Sequence, residues 1–184
     1  QRVAVEKIDG PVMVIAGAGS GKTRVLTYRS AYLLDKGVDA FNILSLTFTN
    51  KAAREMKERI GKIVGDGESK NLWMGTFHSV FAKILRIEAE RLGYPTNFTI
   101  YDADDSKKLI STIIKEKQLD KDIYKAKSVS SRISSLKNNL LTPKAYFQNG
   151  ELQAQDSAAK MPMFGEIYQA YTERCFRAGA MDFD

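Results

Sequence analysis

The chain of 184 residues contains one cysteine and one histidine. A lone thiol, Cys175, excludes an intrachain disulfide, and such scarcity fits a reducing compartment. His78 is the only imidazole and sits in no zinc-cluster or Ser-His-Asp pattern. No apolar run approaches the roughly 20 residues that span a bilayer, and nothing resembles a signal peptide. There is no internal repeat and no low-complexity tract. These absences argue against a disulfide-stapled secreted domain, a helical membrane protein and a repeat array.

What remains is ordinary for a globular chain: 43% hydrophobic and 27% charged residues, enough for one domain or two small ones. A net charge of +6 and a pI near 9.3 lean moderately towards an acidic partner, nucleic acid or nucleotide. The basic residues are scattered through expected helices, where a solvated surface explains many of them equally well.

Two grammars divide the chain. Up to about residue 78, strand and helix alternate. "PVMVIA" at 11–16 is a continuous apolar run, as in strands covered on both faces. A helix is expected from about Thr23 to Leu34, with Val25, Leu26, Arg29, Tyr32 and Leu33 at helical spacing. "NILSLTF" is a second strand, Asn50 is placed to cap the helix starting at Lys51, "GDGESKN" suits a loop, and "LWMGTF" is a third strand. The alternation predicts parallel pairing with right-handed crossovers, an α/β class.

From about Ser79 the pattern is mainly helical. Leu109, Ile110, Ile113 and Ile114 follow the acidic "DADD", which suits a helix N-terminus. Val129, Ile133, Leu136 and Leu140 form a second stripe, Thr142-Pro143 a cap and first turn, and Phe164, Ile167, Tyr168, Tyr171, Cys175 and Phe176 a third stripe.

The sharpest local signal is "AGAGSGKT" at 16–23. Backbone N–H groups can grip phosphates only where the chain turns tightly without side chains in the way. Gly17, Gly19 and Gly21 permit positive φ and close approach, and Ala18 and Ser20 complete the turn. The following helix aims its N-terminal donors at the same place. Lys22 is suited to the β- and γ-phosphates and the Thr23 hydroxyl to Mg²⁺. The strict pattern begins with glycine where this chain has Ala16, which serves if that position needs no positive φ. Taken alone, the loop implies nucleoside-triphosphate binding and does not choose among kinases, GTPases, transport ATPases and motors.

Thr47, Phe48, Thr49, Asn50 and Lys51 leave the carboxyl end of a strand and enter a helix, the edge where open parallel sheets bind ligands. They offer hydroxyls, an amide, a cation and an aromatic face, the parts a single-strand binder needs. Phe48 fits equally a core aromatic between sheet and helix. Thr76, Phe77, His78 and Ser79 repeat the device on the next strand, while Trp73 fits the core.

With "AGAGSGKTRVL", "LSLTFTNKAAREM" and "MGTFHSVFAKILR" in this order, nearly the whole chain resembles the N-terminal part of a UvrD/Rep/PcrA-type superfamily 1 DNA helicase. The resemblance implies a P-loop NTPase (RecA-like) parallel sheet with helices on both faces, incomplete here, plus an inserted mainly α-helical subdomain. Residues 1–78 would be the first part of the ATP-binding domain, 79–178 the insertion, and 179–184 the start of the return. It also implies ATP and Mg²⁺ as cofactors, Gln1 reading the adenine edge, and Arg24 lying against the adenine face. The two strand-end motifs would contact DNA, His78 there or in coupling DNA to nucleotide. Lys107, Lys108, Lys125, Lys127, Arg132 and Lys137 would touch DNA backbone or simply solvent. Implied partners are single-stranded DNA and single-strand/duplex junctions, with repair or replication proteins as further candidates and no membrane. The implied setting is the bacterial cytoplasm, associated with the nucleoid.

The family's strand-borne Asp-Glu pair, second RecA-like domain and arginine finger have no counterpart in these residues, so the chain is expected to be a nearly inert fragment of an ATP-dependent 3′-5′ translocase. Helicase-nuclease subunits share the motifs. A P-loop phosphotransferase shares only the first, and a non-catalytic DNA-binding module leaves the glycine loop unexplained.

Overall fold

The computed structural model describes residues 1–184, the side chains of Asp66 and Glu68 excepted. It is a mixed α/β chain with two small parallel sheets. The elements are α1 (Arg2–Glu6), α2 (Lys22–Asp35), β1 (Leu44–Thr47), α3 (Asn50–Val64), α4 (Asp66–Lys70), β2 (Trp73–Thr76), α5 (Phe77–Glu88), β3 (Thr99–Ile100), α6 (Ala103–Glu116), α7 (Ala126–Asn138), α8 (Pro143–Phe147), α9 (Gly150–Ala158), α10 (Phe164–Arg177) and β4 (Ala180–Met181). Compact packing divides the chain into Gln1–Leu85 and Arg86–Asp184. No described helix is long and apolar enough to cross a membrane.

In the first unit β1 and β2 pair in parallel, Leu44 opposite Trp73 and Thr47 opposite Thr76. Helix α3 buries Ala53, Met56, Ile60 and Gly61 on one face. Met56 and Ile60 join Ala40, Ile43 and Leu72 in a core edged by Leu33, Leu34, Val38, Val64 and Met74. Trp73 is only half-buried. The buried residues of α2 are Thr27, Ser30 and Ala31 rather than its large apolar ones. Small side chains allow close approach, and the Ser30 and Ser45 hydroxyls meet at 3.0 Å in the interior, joining α2 to β1.

Three expectations for this unit are corrected. The run at 11–16 is extended but joins no strand. A continuous apolar run specifies cover on both faces without specifying a partner, and among the described residues the sheet consists of β1 and β2. Met13 and Ile15 are therefore 87% and 93% exposed, while Val12 and Val14, on the opposite side of the alternation, line a cleft with Ala4, Val25, Leu26 and Arg29. The segment expected as a loop at 65–71 contains α4, set off from α3 by Gly65 at φ +92°. Thr49, not Asn50, caps α3, its hydroxyl accepting from the Ala52 N–H at 3.2 Å.

The second unit packs α6, α7, α8 and α10 around Ile110, Ile113, Ile114, Val129, Ile133, Leu136, Tyr146, Phe164, Ile167, Tyr168, Tyr171 and Cys175. Asp102 and Asp105 form a capping box at the start of α6, and Thr142 caps α8 ahead of Pro143. Backbone N–H groups of Asp105 and Asp104 hold the Asp102 carboxyl below the usual aspartate range. Thr99 and Ile100 pair with Ala180 and Met181. Leu140 departs from its expected stripe: α7 ends at Asn138, and Leu140 turns at φ +57° with 88% of its surface exposed.

Two carboxylates, one buried and one partly buried, tie the second unit together. Asp156 accepts from Arg132 through Nε and Nη2 (3.1 and 3.2 Å) and from the Tyr146 hydroxyl at 2.9 Å. Asp182 accepts from Lys137 Nζ at 2.5 Å and the Tyr171 hydroxyl at 2.8 Å. Burial and these carboxylates push both phenols well above the usual tyrosine range. No described buried side-chain nitrogen or oxygen lacks a partner.

Candidate functional site

The nucleotide-loop and strand-end residues singled out from the sequence all lie in the first unit. The turn at 16–21 is closed by Ser20, whose hydroxyl donates to the Gly17 carbonyl at 2.7 Å. Gly19 and Gly21 adopt φ of +74° and +89°, conformations costly for other L-residues. Gly17 does not have positive φ, and neither does Ala16. The substitution of glycine by Ala16 therefore costs the loop nothing in backbone conformation.

Gly21 is the N-cap of α2 and supplies no side-chain acceptor, and the first turn of α2 contains no acidic residue. The leading N–H groups of a 14-residue helix thus keep their capacity for an external anion, with the helix dipole favouring negative charge. Lys22 Nζ folds back onto the loop, donating to the Gly17 and Ala16 carbonyls at 2.7 and 3.2 Å. Those are neutral acceptors at the surface, which a phosphate oxygen can replace with a stronger charge-assisted bond. The Thr23 side chain lies one residue on, half-buried.

Gln1 donates from Nε2 to the Ser20 carbonyl at 2.8 Å. It lines a cleft of about 300 Å³ with Arg2, Val5, Glu6, Arg24, Val25, Tyr28 and Tyr32. The Arg24 guanidinium lies over the Tyr28 ring, 5.7 Å from its centre. The structure therefore brings Gln1 and Arg24 together beside the glycine turn.

The strand-end motifs meet through register. Because Thr47 is opposite Thr76 in a parallel pair, 47–51 and 76–79 emerge from the same end of the sheet. Phe48 is 95% exposed and so is no core aromatic in this unit. Asn50, Lys51, His78 and Ser79 are also exposed, and Phe77 is half-exposed. Several hydroxyls already have structural partners: Thr47 donates to the Thr49 carbonyl at 3.0 Å, and Thr76 accepts from the Ser79 N–H at 3.3 Å. Ser79 donates to the Thr76 carbonyl at 2.9 Å.

Sequence spacing left three contributors unnoticed. Phe81 stacks on Phe77 with ring centres 6.3 Å apart and planes 14° from parallel, and the four-residue aromatic spacing was the available signal. Tyr28, four residues after Arg24, had the same signal. Arg29 had none, since its partners are carbonyls 22 and 25 residues away. Among the basic residues of the second unit, Arg132 and Lys137 are committed to Asp156 and Asp182, and Lys107 pairs with Asp104 at 3.2 Å. Lys108, Lys125 and Lys127 are exposed.

The unit thus has a glycine turn opening a helix with no side-chain cap, and two exposed hydroxyl-and-aromatic strand ends at one end of its sheet. Residues 1–184 match the family described as UvrD/REP helicase N-terminal domain, and the chain belongs to that family. More particularly, it is similar to the ATP-dependent DNA helicase PcrA of Staphylococcus aureus (strain NCTC 8325 / PS 47), 45% identical over 185 residues. It is 44% identical over 185 residues to the protein of the same name from Staphylococcus epidermidis (strain ATCC 12228 / FDA PCI 1200). Each comparison covers 100% of this chain and 24% of the relative, so the chain spans about a quarter of their length.

Proposed function

We propose that this chain is the nucleotide-binding and strand-gripping part of an ATP-driven 3′-to-5′ DNA translocase. The observation that carries this reading is the register of β1 on β2, which delivers both aromatic strand ends to one edge, with α2 fastened to the same sheet through Ser30 and Ser45. In the whole protein, residues 1–78 belong to a RecA-like ATP-binding domain, residues 79–178 form an inserted helical subdomain, and 179–184 begin the return.

The residues present fit a magnesium nucleotide. The α2 N-terminus has donors without side-chain caps, Lys22 has only neutral carbonyl partners, and Thr23 offers a hydroxyl beside them. Residues 16–24 hold the triphosphate, Thr23 the Mg²⁺, Arg24 the face of the base and Gln1 its edge. Mg-ATP, when bound, would supply the phosphoanhydride for hydrolysis, and two RecA-like domains would close on it. Lys22 neutralises phosphate charge, and turn residues Gly19 and Gly21 keep side chains out of the cradle. Phe48 and Phe77 offer faces to unpaired bases, each stack worth roughly 1–3 kcal/mol. Asn50, Lys51 and His78 supply polar contacts to the strand, as do those hydroxyls of Thr47, Thr49, Thr76 and Ser79 that can exchange their internal partners. Single-stranded DNA and its junctions with duplex are the partners.

The test is ATP hydrolysis by the complete protein with and without single-stranded DNA. Strong stimulation by DNA is expected, with Lys22→Ala removing hydrolysis while single-strand binding persists. Hydrolysis indifferent to DNA would refute the motor reading. Equal loss of both activities in Lys22→Ala would make Lys22 a structural residue.

A further inference from the structure

Helix α1 is five residues long, with no buried residue of its own. A segment that short has no helical stability in isolation, because nucleation costs more than one turn returns. Yet Gln1, placed at the base end of the nucleotide cleft, is its N-cap. Two side chains tie its ends to the rest of the unit. At one end Gln1 donates to the Ser20 carbonyl. At the other, Arg29 of α2 reaches across with Nη1 and donates to the Ala4 carbonyl at 2.8 Å and to the Lys7 carbonyl. Helix C-terminal carbonyls lack intrahelical partners and carry partial negative charge, so a guanidinium satisfies both needs at once.

We propose that Arg29 is a positioning residue for base recognition: it clamps α1 onto α2 and so fixes where Gln1 meets the nucleotide base, without touching the nucleotide itself. The proposal rests on the reading of Gln1 and residues 16–24 as a nucleotide site. Arg29 stands on the same helix as Lys22, Arg24 and Tyr28, so the phosphate, base-face and base-edge contacts share one rigid reference. Both acceptors of its guanidinium are main-chain carbonyls, which no substitution in α1 removes. Both bonds leave one nitrogen, Nη1, so a lysine ammonium, with three donors, can replace them in kind but from a shorter side chain.

The experiment compares ATP, GTP and inorganic tripolyphosphate binding to the complete protein and to its Arg29→Ala, Arg29→Lys and Gln1→Ala variants by calorimetry. Tripolyphosphate has no base, so it reports the phosphate cradle alone and controls for folding. Arg29→Ala should weaken ATP about tenfold, equivalent to about 1.4 kcal/mol. It should lower the preference for ATP over GTP as Gln1→Ala does, and leave tripolyphosphate affinity within about twofold. The double variant should be no weaker than the weaker single variant, because both remove one contact. Arg29→Lys should fall between wild type and Arg29→Ala. Equal weakening of ATP and tripolyphosphate by Arg29→Ala overturns the proposal and assigns Arg29 to general support of α2. An unchanged ATP/GTP preference in Arg29→Ala, with Gln1→Ala altering it, overturns the clamp while sparing the nucleotide site. An unaltered preference in Gln1→Ala overturns the base-reading role itself, and the clamp with it.

Discussion

Gly75 presents the most quantitative prediction in the first unit. It lies on β2 one residue before Thr76, buried, and a Cβ there would stand 2.4 Å from Ser79 Oγ and 2.9 Å from Val80 Cγ2. The first clash is relieved if the Ser79 side chain rotates away, which breaks its bond to the Thr76 carbonyl and its 3.0 Å contact with the Thr76 hydroxyl. Ser79 is exposed, so water replaces these partners at a cost of about 1 kcal/mol. The second clash is harder, because Val80 is 1% exposed and held by its surroundings; overpacking of this kind costs about 1–3 kcal/mol. Gly75→Ala should therefore destabilise the unit by about 2–4 kcal/mol. Trp73, the chain's single tryptophan, stands two residues away and reports the transition directly in urea titrations followed by fluorescence. Adding Ser79→Ala removes the nearer obstacle together with the bonds its rotation already breaks, so the double variant should be about as stable as Gly75→Ala alone. A loss under about 0.5 kcal/mol, the range of an ordinary surface change, would refute the packing argument. So would a double variant weaker than the single.

The remaining predictions concern separate sites. Phe48→Ala in the complete protein should reduce single-strand affinity by about 1–3 kcal/mol while nucleotide affinity without DNA stays unchanged; unaltered DNA stimulation of hydrolysis would count against stacking. Asp156→Ala leaves Arg132 and the Tyr146 hydroxyl without their acceptor at a side chain 6% exposed, and should cost about 3–5 kcal/mol in denaturation. Asp102 has a folded pKa below its unfolded one, so its contribution is complete above about pH 4 and disappears as pH falls through the folded value. Asp102→Asn retains a capping oxygen without that titration, and should flatten the acid limb of the stability profile. Cys175 is buried, which raises its pKa, so iodoacetamide should label it slowly in the native protein and rapidly in denaturant.

The sequence alone determined those features whose physics is local. The glycine turn was legible because only glycine accepts the φ angles at 19 and 21 without strain. The start of α6 at Asp102 and of α8 at Thr142 followed from caps whose partners lie two or three residues away. The order of strand and helix was sufficient for the parallel pairing of β1 and β2 and for the shared end at which 47–51 and 76–79 emerge. Three ordered motifs carried the family.

Tertiary structure decided whatever depends on partners distant in the chain. Residues 11–16 have the composition of a buried strand, yet composition supplies no edge to pair with. Leu140 continued a helical period that the backbone had already left at Asn139. Lys137 and Lys108 look alike in sequence, but one is fixed to Asp182, 45 residues away, and the other faces solvent. Arg29 looked like part of a helical stripe until its guanidinium was found on the carbonyls of α1. Contacts within one helical turn are written in neighbouring residues, whereas a bond across dozens of residues exists only once the chain has closed the loop between them.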